Sequence, residues 1–411
     1  MSTQSTQGPL AGIKVLDFGQ YIAGPGAGQV LSDLGATVIK VENVLGDQAR
    51  SIGVFGEAMV RAFNRDKESL ALDLRKSEAR LVIHRLLADT DVLIHNFRPG
   101  AVERLGLGAE TLREQYPALV YGSITGFGLG GPSASRPGLD IAAQAEFGMM
   151  HSTGEADGDP QRVGFAVVDV AAANALATGI IAALFTRTKT GLGAHVETSL
   201  LESAMAMQAA TWGEYTITGK PAVRKGNGQA YAAPAADLVR VKDGMIVLSA
   251  YTAEKWAVLC NVIGRPEFIT DPRFVDNPAR VKHRSELLAA LGSALQESTR
   301  AQTVELMLAN GIVCGSVRSF DEIAVDPDLA ASEVMVTVES ANGNFTSPGA
   351  PFTLDGWRRT SSAEAPEVGA QNTRILADLG YTDLQIEQLH TAGAVSLPPV
   401  AAAAPLQHTS K

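Results

Sequence analysis

The stretch IKVLDFGQYIAGPGAGQVLSDLGATVIKV, residues 13–41, decides the fold class. Ile13 to Phe18 is an apolar run of strand length, and Thr37 to Val41 is a second. Between them, Gly24-Pro25-Gly26 opens a helix that runs through Leu34 and stops at Gly35. Proline suits a first helical turn, and glycine suits the residue just past the last one. Strand, helix and strand make a βαβ unit, which commits the chain to a parallel sheet with helices on its faces. The first turn reads GQYIAGPGAG and lacks the GxGxxG spacing, so it is not read as an NAD site.

Outward from this unit the alternation continues. Leu70–Leu74, Val92–Ile94 and Leu119–Thr125 have strand character, and Ser77–Ala88 is an amphipathic helix in which His84 is read as surface or satisfied core. HNFRPG (95–100) and GFGLGG (126–131) follow two of the strands as loops. The expectation is an α/β fold, with a large doubly wound domain over 1–205 completed by about 365–395. A smaller α+β domain covers 225–340. It carries a strand over Gly244–Ala250, helices near Thr252–Ile263, Ser285–Gln296 and Thr303–Asn310, and extended segments at Ile312–Val317 and Val334–Val338. The Gly- and Pro-rich stretches 206–224 and 341–364 are read as linkers, and 396–411, SLPPVAAAAPLQHTSK, as a disordered tail.

The 411 residues exceed one ordinary core, which agrees with two domains. A net charge of −10 argues against a general nucleic-acid binder, so a polyanionic ligand would need a local basic patch. Cys260 and Cys314 form no metal-ligand spacing and are expected as free thiols in a reducing compartment. No metal site is read. MSTQSTQGPLAG lacks the basic and apolar regions of a signal peptide, and no uninterrupted apolar run reaches membrane-spanning length. The expectation is a cytoplasmic enzyme with neither membrane nor nucleic acid as partner.

A second decisive stretch is VGFAVVDVAAANALATGIIAALFTR, residues 163–187. Ala173, Leu176, Ala177, Ile180, Ile181, Leu184 and Phe185 recur at helical spacing over about five turns. Asp169 stands at the start. Its ordinary role there is an N-cap. The same position makes it a candidate nucleophile, since a helix N-terminus favours the carboxylate and apolar neighbours exclude water.

Taken in order, several pieces resemble the class III CoA-transferases, the formyl-CoA transferase/CaiB–BaiF family. They include PLAGIKVLDF, AGPGAGQVLSDLGATVIKVE, NRDKESLALDL, HNFRPGAVERLGLG, RPGLDIAAQAEFG, the VVD ending in Asp169, and KTGLGAHVETSLLES. The resemblance spans about residues 9 to 395. It implies a Rossmann-like large domain, a smaller domain and an interlocked homodimer. By resemblance Asp169 is the nucleophile that takes the acyl group of an acyl-CoA as a mixed anhydride. Asp140 would orient the site or bond the pantetheine amide, its alternative being a cap for the helix that follows it. His151 is a lesser candidate, an oxyanion donor or merely packed. The resemblance implies CoA contacts at Ala23, Asn43, Leu72, Arg75, Asn96, Phe97, Arg98 and Arg104, with Asp73 and Leu74 in the same segment. CoA is a thioester co-substrate here, and no cofactor is bound permanently. The acidic chain needs local cations for the CoA phosphates, and Lys40, Arg65, Lys67, Arg75, Arg98 and Arg104 are the set available near strand ends and βα loops.

The sequence departs from formyl-CoA transferases where Ile22 replaces a glutamine, Asn43 an arginine and Pro137 a lysine. Only Gly226-Asn227-Gly228-Gln229 stands in the region of their mobile glycine loop. Formate and oxalate are therefore not the expected acids. The default donor is succinyl-CoA, and the acceptor is a carboxylic acid, a dicarboxylate among the candidates. Two rivals are an α-methylacyl-CoA racemase-like enzyme and a non-catalytic CoA-binding protein. Racemases of the family place a histidine immediately before the residue matching Asp140. Here that residue is Leu139, which cannot move a proton.

Overall fold

The computed structural model describes residues 8–228, 236–250 and 252–396. The expected disordered tail, apart from Ser396, and Gln229 of the glycine segment lie outside the described residues. The chain forms two compact units. The first comprises Met1–Phe147, Gly164–Ala209 and Asp328–Lys411, and the second Gly148–Val163 and Ala210–Pro327.

In the first unit, β1 (Lys14–Asp17), β2 (Thr37–Glu42), β3 (Glu68–Ala71), β4 (Val92–His95), β5 (Val120–Thr125) and β6 (His195–Ser199) form one sheet. The order is β3-β2-β1-β4-β5-β6 and every pairing is parallel. Buried runs such as Val92–His95 and Val120–Thr125 fit strands covered on both faces. The order reverses between β1 and β4, and ligands of open α/β sheets bind beyond the strand ends at such a reversal. The helix Ala23–Asp33 packs against the helix Val167–Thr190, which also lies on β5 and β6. The latter is longer than the sequence pattern suggests, with 24 residues. It is apolar and long enough to cross a membrane. However, Val168, Ala172, Ala173, Leu176, Ala177 and Ile180 are buried within this unit, as expected of a core helix.

The second unit holds β7 (Ala236–Val241), β8 (Gly244–Ser249) and β9 (Val313–Ser316), an antiparallel sheet in that order. Trp256, Phe268, Phe274, Leu287 and Leu291 fill its core. Cys260 is buried there, Cys314 is partly buried, and both are free thiols. The stretch 206–224 contains the helix Ala209–Thr218. Its Ala, Trp and Tyr leave no polar face to mark a period, which is why it reads as a linker in sequence.

Three further strands belong to the first unit: β10 (Met335–Glu339), β11 (Phe345–Pro348) and β12 (Ser361–Ala363), in the order β11-β10-β12. The stretch 341–364 is thus partly sheet, in strands too short to show alternation between their glycines and prolines. The helices Asn372–Asp378 and Asp383–Thr391 pack on the main core through Ile375, Leu376, Ile386 and Leu389. They also finish the edge strand β3. Gln371 Oε1 accepts from Ser69 N–H at 2.7 Å, and Asn372 Oδ1 accepts from Ala71 N–H at 2.9 Å.

Candidate active site

A cavity of about 470 Å³ opens at the carboxyl ends of β1, β4 and β5, at the reversal of strand order. Gln20, Tyr21 and Ala23 line it from the loop after β1, Asn96 to Pro99 from the loop after β4, and Ile124 to Gly126 from the end of β5. Gln48, the segment Arg136 to Leu139, Asp169 and Leu200 complete it. Two glycine contacts shape the walls. A Cβ on Gly19 would lie 2.7 Å from Gly24 and Pro25 backbone atoms, and one on Gly126 would lie 2.7 Å from the Gly138 Cα. Glycine permits these close approaches.

The loop after β1 is held by side chains at almost every backbone polar group. Gly19 N–H donates to Asp17 Oδ1 at 2.8 Å, and Lys40 Nζ donates to Gly19 O at 2.7 Å. The Asn96 amide takes both groups of Gln20, accepting from its N–H at 2.9 Å and donating to its carbonyl at 2.8 Å. Tyr21 N–H donates to Asp47 Oδ1 at 3.2 Å. Tyr21 has a φ of 63°, a left-handed conformation that costs an aromatic residue energy and persists only where its surroundings enforce it.

Asp169 is half-buried and stands third in its helix, so it is not the N-cap; that position is Ala166. The cap is supplied from elsewhere. Asp140, buried at the start of the helix Asp140–Glu146, accepts at Oδ2 from Val168 N–H at 2.7 Å and Asp169 N–H at 3.3 Å. Gln144 Nε2 fixes the other oxygen at 2.6 Å. Asp140 therefore caps the Asp169 helix and not its own. The expectation that the helix start keeps Asp169 ionised is reversed. Burial, and then the charge of Asp140, push its carboxyl up to about 7. The first-turn N–H groups that would stabilise an Asp169 anion are already taken by Asp140.

Of the expected CoA contacts, Ala23, Asn96, Phe97 and Arg98 line the cavity, whereas Asn43, Leu72, Arg75 and Arg104 do not. The Asn96 amide is occupied by Gln20. Phe97 stacks on His95, whose Nδ1 accepts the Phe97 N–H at 3.2 Å; burial takes the His95 ring down to about 3, so it is neutral. Leu72 is a core side chain. Asn43 is exposed and caps its own turn through Leu45 N–H. Arg75 is exposed with a bidentate pair to Asp73, and Arg104 is exposed beside Gly100. His151 is exposed and is not among the cavity-lining residues.

Half of the expected cation set is structural. Lys40 is fully buried against Asp47 at 2.9 Å. Lys67 Nζ is buried between Asp17, Pro25 O and Asn64, and its burial brings it down to about 8 even beside Asp17. Arg65 is buried on Asp33. Such charges are kept by their partners and are not free for a phosphate. Arg75, Arg98 and Arg104 remain exposed. The sequence reading missed Gln20, Tyr21, Gln48 and Leu200 as cavity walls. Gln20 and Tyr21 directly follow β1, a βα-loop position that could have flagged them. Gln48 sits in a short 3₁₀ turn with no sequence signature.

A family model described as CoA-transferase family III matches residues 10–372. A protein named probable fatty acyl-CoA transferase Rv3272, from Mycobacterium tuberculosis, is 34% identical, covering 92% of this chain and 100% of its own. A succinate–glutarate CoA-transferase from Agrobacterium fabrum is 33% identical, covering 90% of this chain and 96% of its own. Among solved structures, a CAIB/BAIF family protein from Brucella suis superposes with a TM-score of 0.83 at 33% identity, over 91% of this chain and 100% of that one.

Proposed function

The chain belongs to CoA-transferase family III, and from that premise we propose that it moves CoA between an acyl-CoA and a carboxylic acid through covalent intermediates on Asp169. One observation carries the reading: a carboxyl on the cavity wall that burial has left poorly solvated, raised to about 7. A carboxylate with little solvation is a stronger nucleophile than one in water.

Asp169 attacks the thioester carbonyl. The C–S bond breaks and CoA leaves as the thiolate, giving an aspartyl-acyl anhydride. The thiolate attacks the Asp169 carbonyl carbon and releases the acyl group as its free carboxylate, giving an aspartyl-CoA thioester. An incoming carboxylate attacks that carbonyl and expels the thiolate again. The thiolate then takes the new acyl carbon, and Asp169 returns as a carboxylate. No step consumes or yields a proton. This suits a cavity whose titratable lining is Tyr21, Arg98, Arg136 and Asp169. Leu139 lies in that lining, 58% exposed, and the neighbouring Asp140 carboxyl is committed to the helix start. Both support exchange of acids without epimerisation of the α-carbon.

The default donor is succinyl-CoA, and exposed Arg75, Arg98 and Arg104 are the cations offered to the CoA phosphates. A cytoplasmic homodimer completes the proposal. The exposed Phe165 and Phe185, at 63% and 62%, are apolar surface that a second copy would cover. The test is to incubate the protein with succinyl-CoA and read the mass of the peptide carrying Asp169, then add a second acid. Acyl or CoA adducts and a new acyl-CoA are expected. Near-normal turnover by folded Asp169→Ala overturns the assignment.

A further inference from the structure

We propose that Tyr21 and Gln48 form the specificity element of this site, recognising the far carboxylate of a dicarboxylic acid whose near end reacts at Asp169. The inference rests on the transfer reading above and extends it to the substrate class. The Tyr21 hydroxyl donates to Gln48 Oε1 at 2.6 Å, and both residues line the cavity that Asp169 lines. The two are placed by one buried group. Asp47 Oδ1 accepts from Tyr21 N–H at 3.2 Å and from Ala49 N–H at 2.9 Å, so it ties the loop after β1 to the turn that carries Gln48. Lys40 anchors Asp47 from below. The left-handed Tyr21 backbone is the cost of this arrangement.

The ring packs on a cluster that the helix start of Asp169 also meets. Tyr21, Ala166 and Val170 pack against the same small cluster of Ile22, Ala49, Met59 and Val60, and Ala166 and Val170 lie on either side of Asp169 in the chain. The pair brings three hydrogens that can be donated. Tyrosine brings one O–H, and glutamine brings two N–H and one carbonyl. Their mutual bond consumes one hydrogen, which leaves two for a ligand whichever way the amide is turned. Two spare donors suit the two oxygens of a carboxylate. Among the described residues Asp169 is the only acidic one in the lining, and Arg98 adds positive charge. A site built to bond a substrate group discriminates against an analogue that lacks it, because the donors are then left unpaired.

The experiment compares glutarate with butyrate, which lacks the second carboxylate. In exchange through a covalent enzyme, kcat/KM for the acceptor reports only the second half-reaction, so the ratio of the two acids is independent of the donor. Tyr21→Phe and Gln48→Leu are each expected to lower the glutarate-to-butyrate ratio at least tenfold, and Gln48→Glu, which places a negative charge opposite the far carboxylate, is expected to lower it further. Equal losses for both acids would assign the pair a merely structural role and overturn the inference, as would an unchanged ratio. Wild-type enzyme that uses butyrate or longer fatty acids but not glutarate also overturns it, while leaving CoA transfer standing. Wild-type enzyme that transfers CoA to no acid overturns both.

Discussion

Replacing Asp169 by Asn should abolish transfer and at the same time stabilise the fold, increasingly so as pH rises. The carboxyl's ordinary value of 3.8 is raised to about 7 in the folded protein. A raised carboxyl binds its proton more tightly folded than unfolded. Stability is therefore lost as pH climbs from about 4 to about 7, and the loss is complete above that window. At 1.36 kcal/mol per pH unit the cost at pH 8 has a ceiling on the order of 4 kcal/mol. Asp169 is only half-buried, and screening reduces the figure to roughly 2 kcal/mol. About a third to a half of the cost is already present at pH 5. Asparagine carries no charge and removes it at every pH, less roughly 0.3–1 kcal/mol for the lost attraction of an anion to a helix start. Thermal unfolding of both proteins at pH 5 and pH 8 reads the difference. The Asn variant should gain about 2–4 °C per kcal/mol, with the larger gain at pH 8. A variant equally or less stable than wild type at pH 8, or a gain independent of pH, would refute the electrostatic account of the site.

Asp140→Asn keeps an oxygen facing Val168 N–H but removes the negative neighbour of Asp169. The rising limb of kcat/KM against pH, expected near 7 in the wild type, should move to lower pH, and an unmoved limb would show that Asp140 does not act on Asp169. Asp140→Ala should in addition lose about 1 kcal/mol of helix capping, read by denaturation. Arg75→Ala and Arg104→Ala should raise KM for the acyl-CoA with little change in kcat, since contacts remote from the carbonyl act as uniform binding; unaltered affinity for free CoA would place the phosphates elsewhere.

The main sheet is legible in residues 13–41 because parallel strands covered on both faces are predominantly apolar, and because proline and glycine mark the helix ends between two such strands. The placement of Asp169 on a cavity wall is likewise foreshadowed by its position at a helix start. Three things are not legible, each for a physical reason. Short strands such as β11 and β12 take their pairing from distant partners, not from local periodicity. The identity of a cap is invisible when the capping carboxylate comes from 29 residues away, as Asp140 does for Asp169. A lysine in a strand or a βα loop looks the same in sequence whether it meets a phosphate or a buried aspartate. Lys40 and Lys67 prove to be of the second kind, and the aspartates that show it, Asp47 and Asp17, are identified only by the fold.

The two carboxyls at one helix start explain why the site takes the form it does. The first turn of a helix offers a small number of free N–H groups, and an anion placed there is stabilised in proportion to those it captures. Had Asp169 capped its own helix, its carboxylate would be well bonded, held at low pKa and correspondingly poor as a nucleophile. Asp140 captures the N–H groups of Val168 and of Asp169 itself, and Gln144 holds Asp140 in place. The helix keeps its cap. Asp169, in the same first turn, is left against the cavity with burial and a like charge as its environment. Stability and reactivity, which compete for the same N–H groups, are thereby assigned to different residues, and the reactive one carries the energetic penalty that the Asn substitution would release.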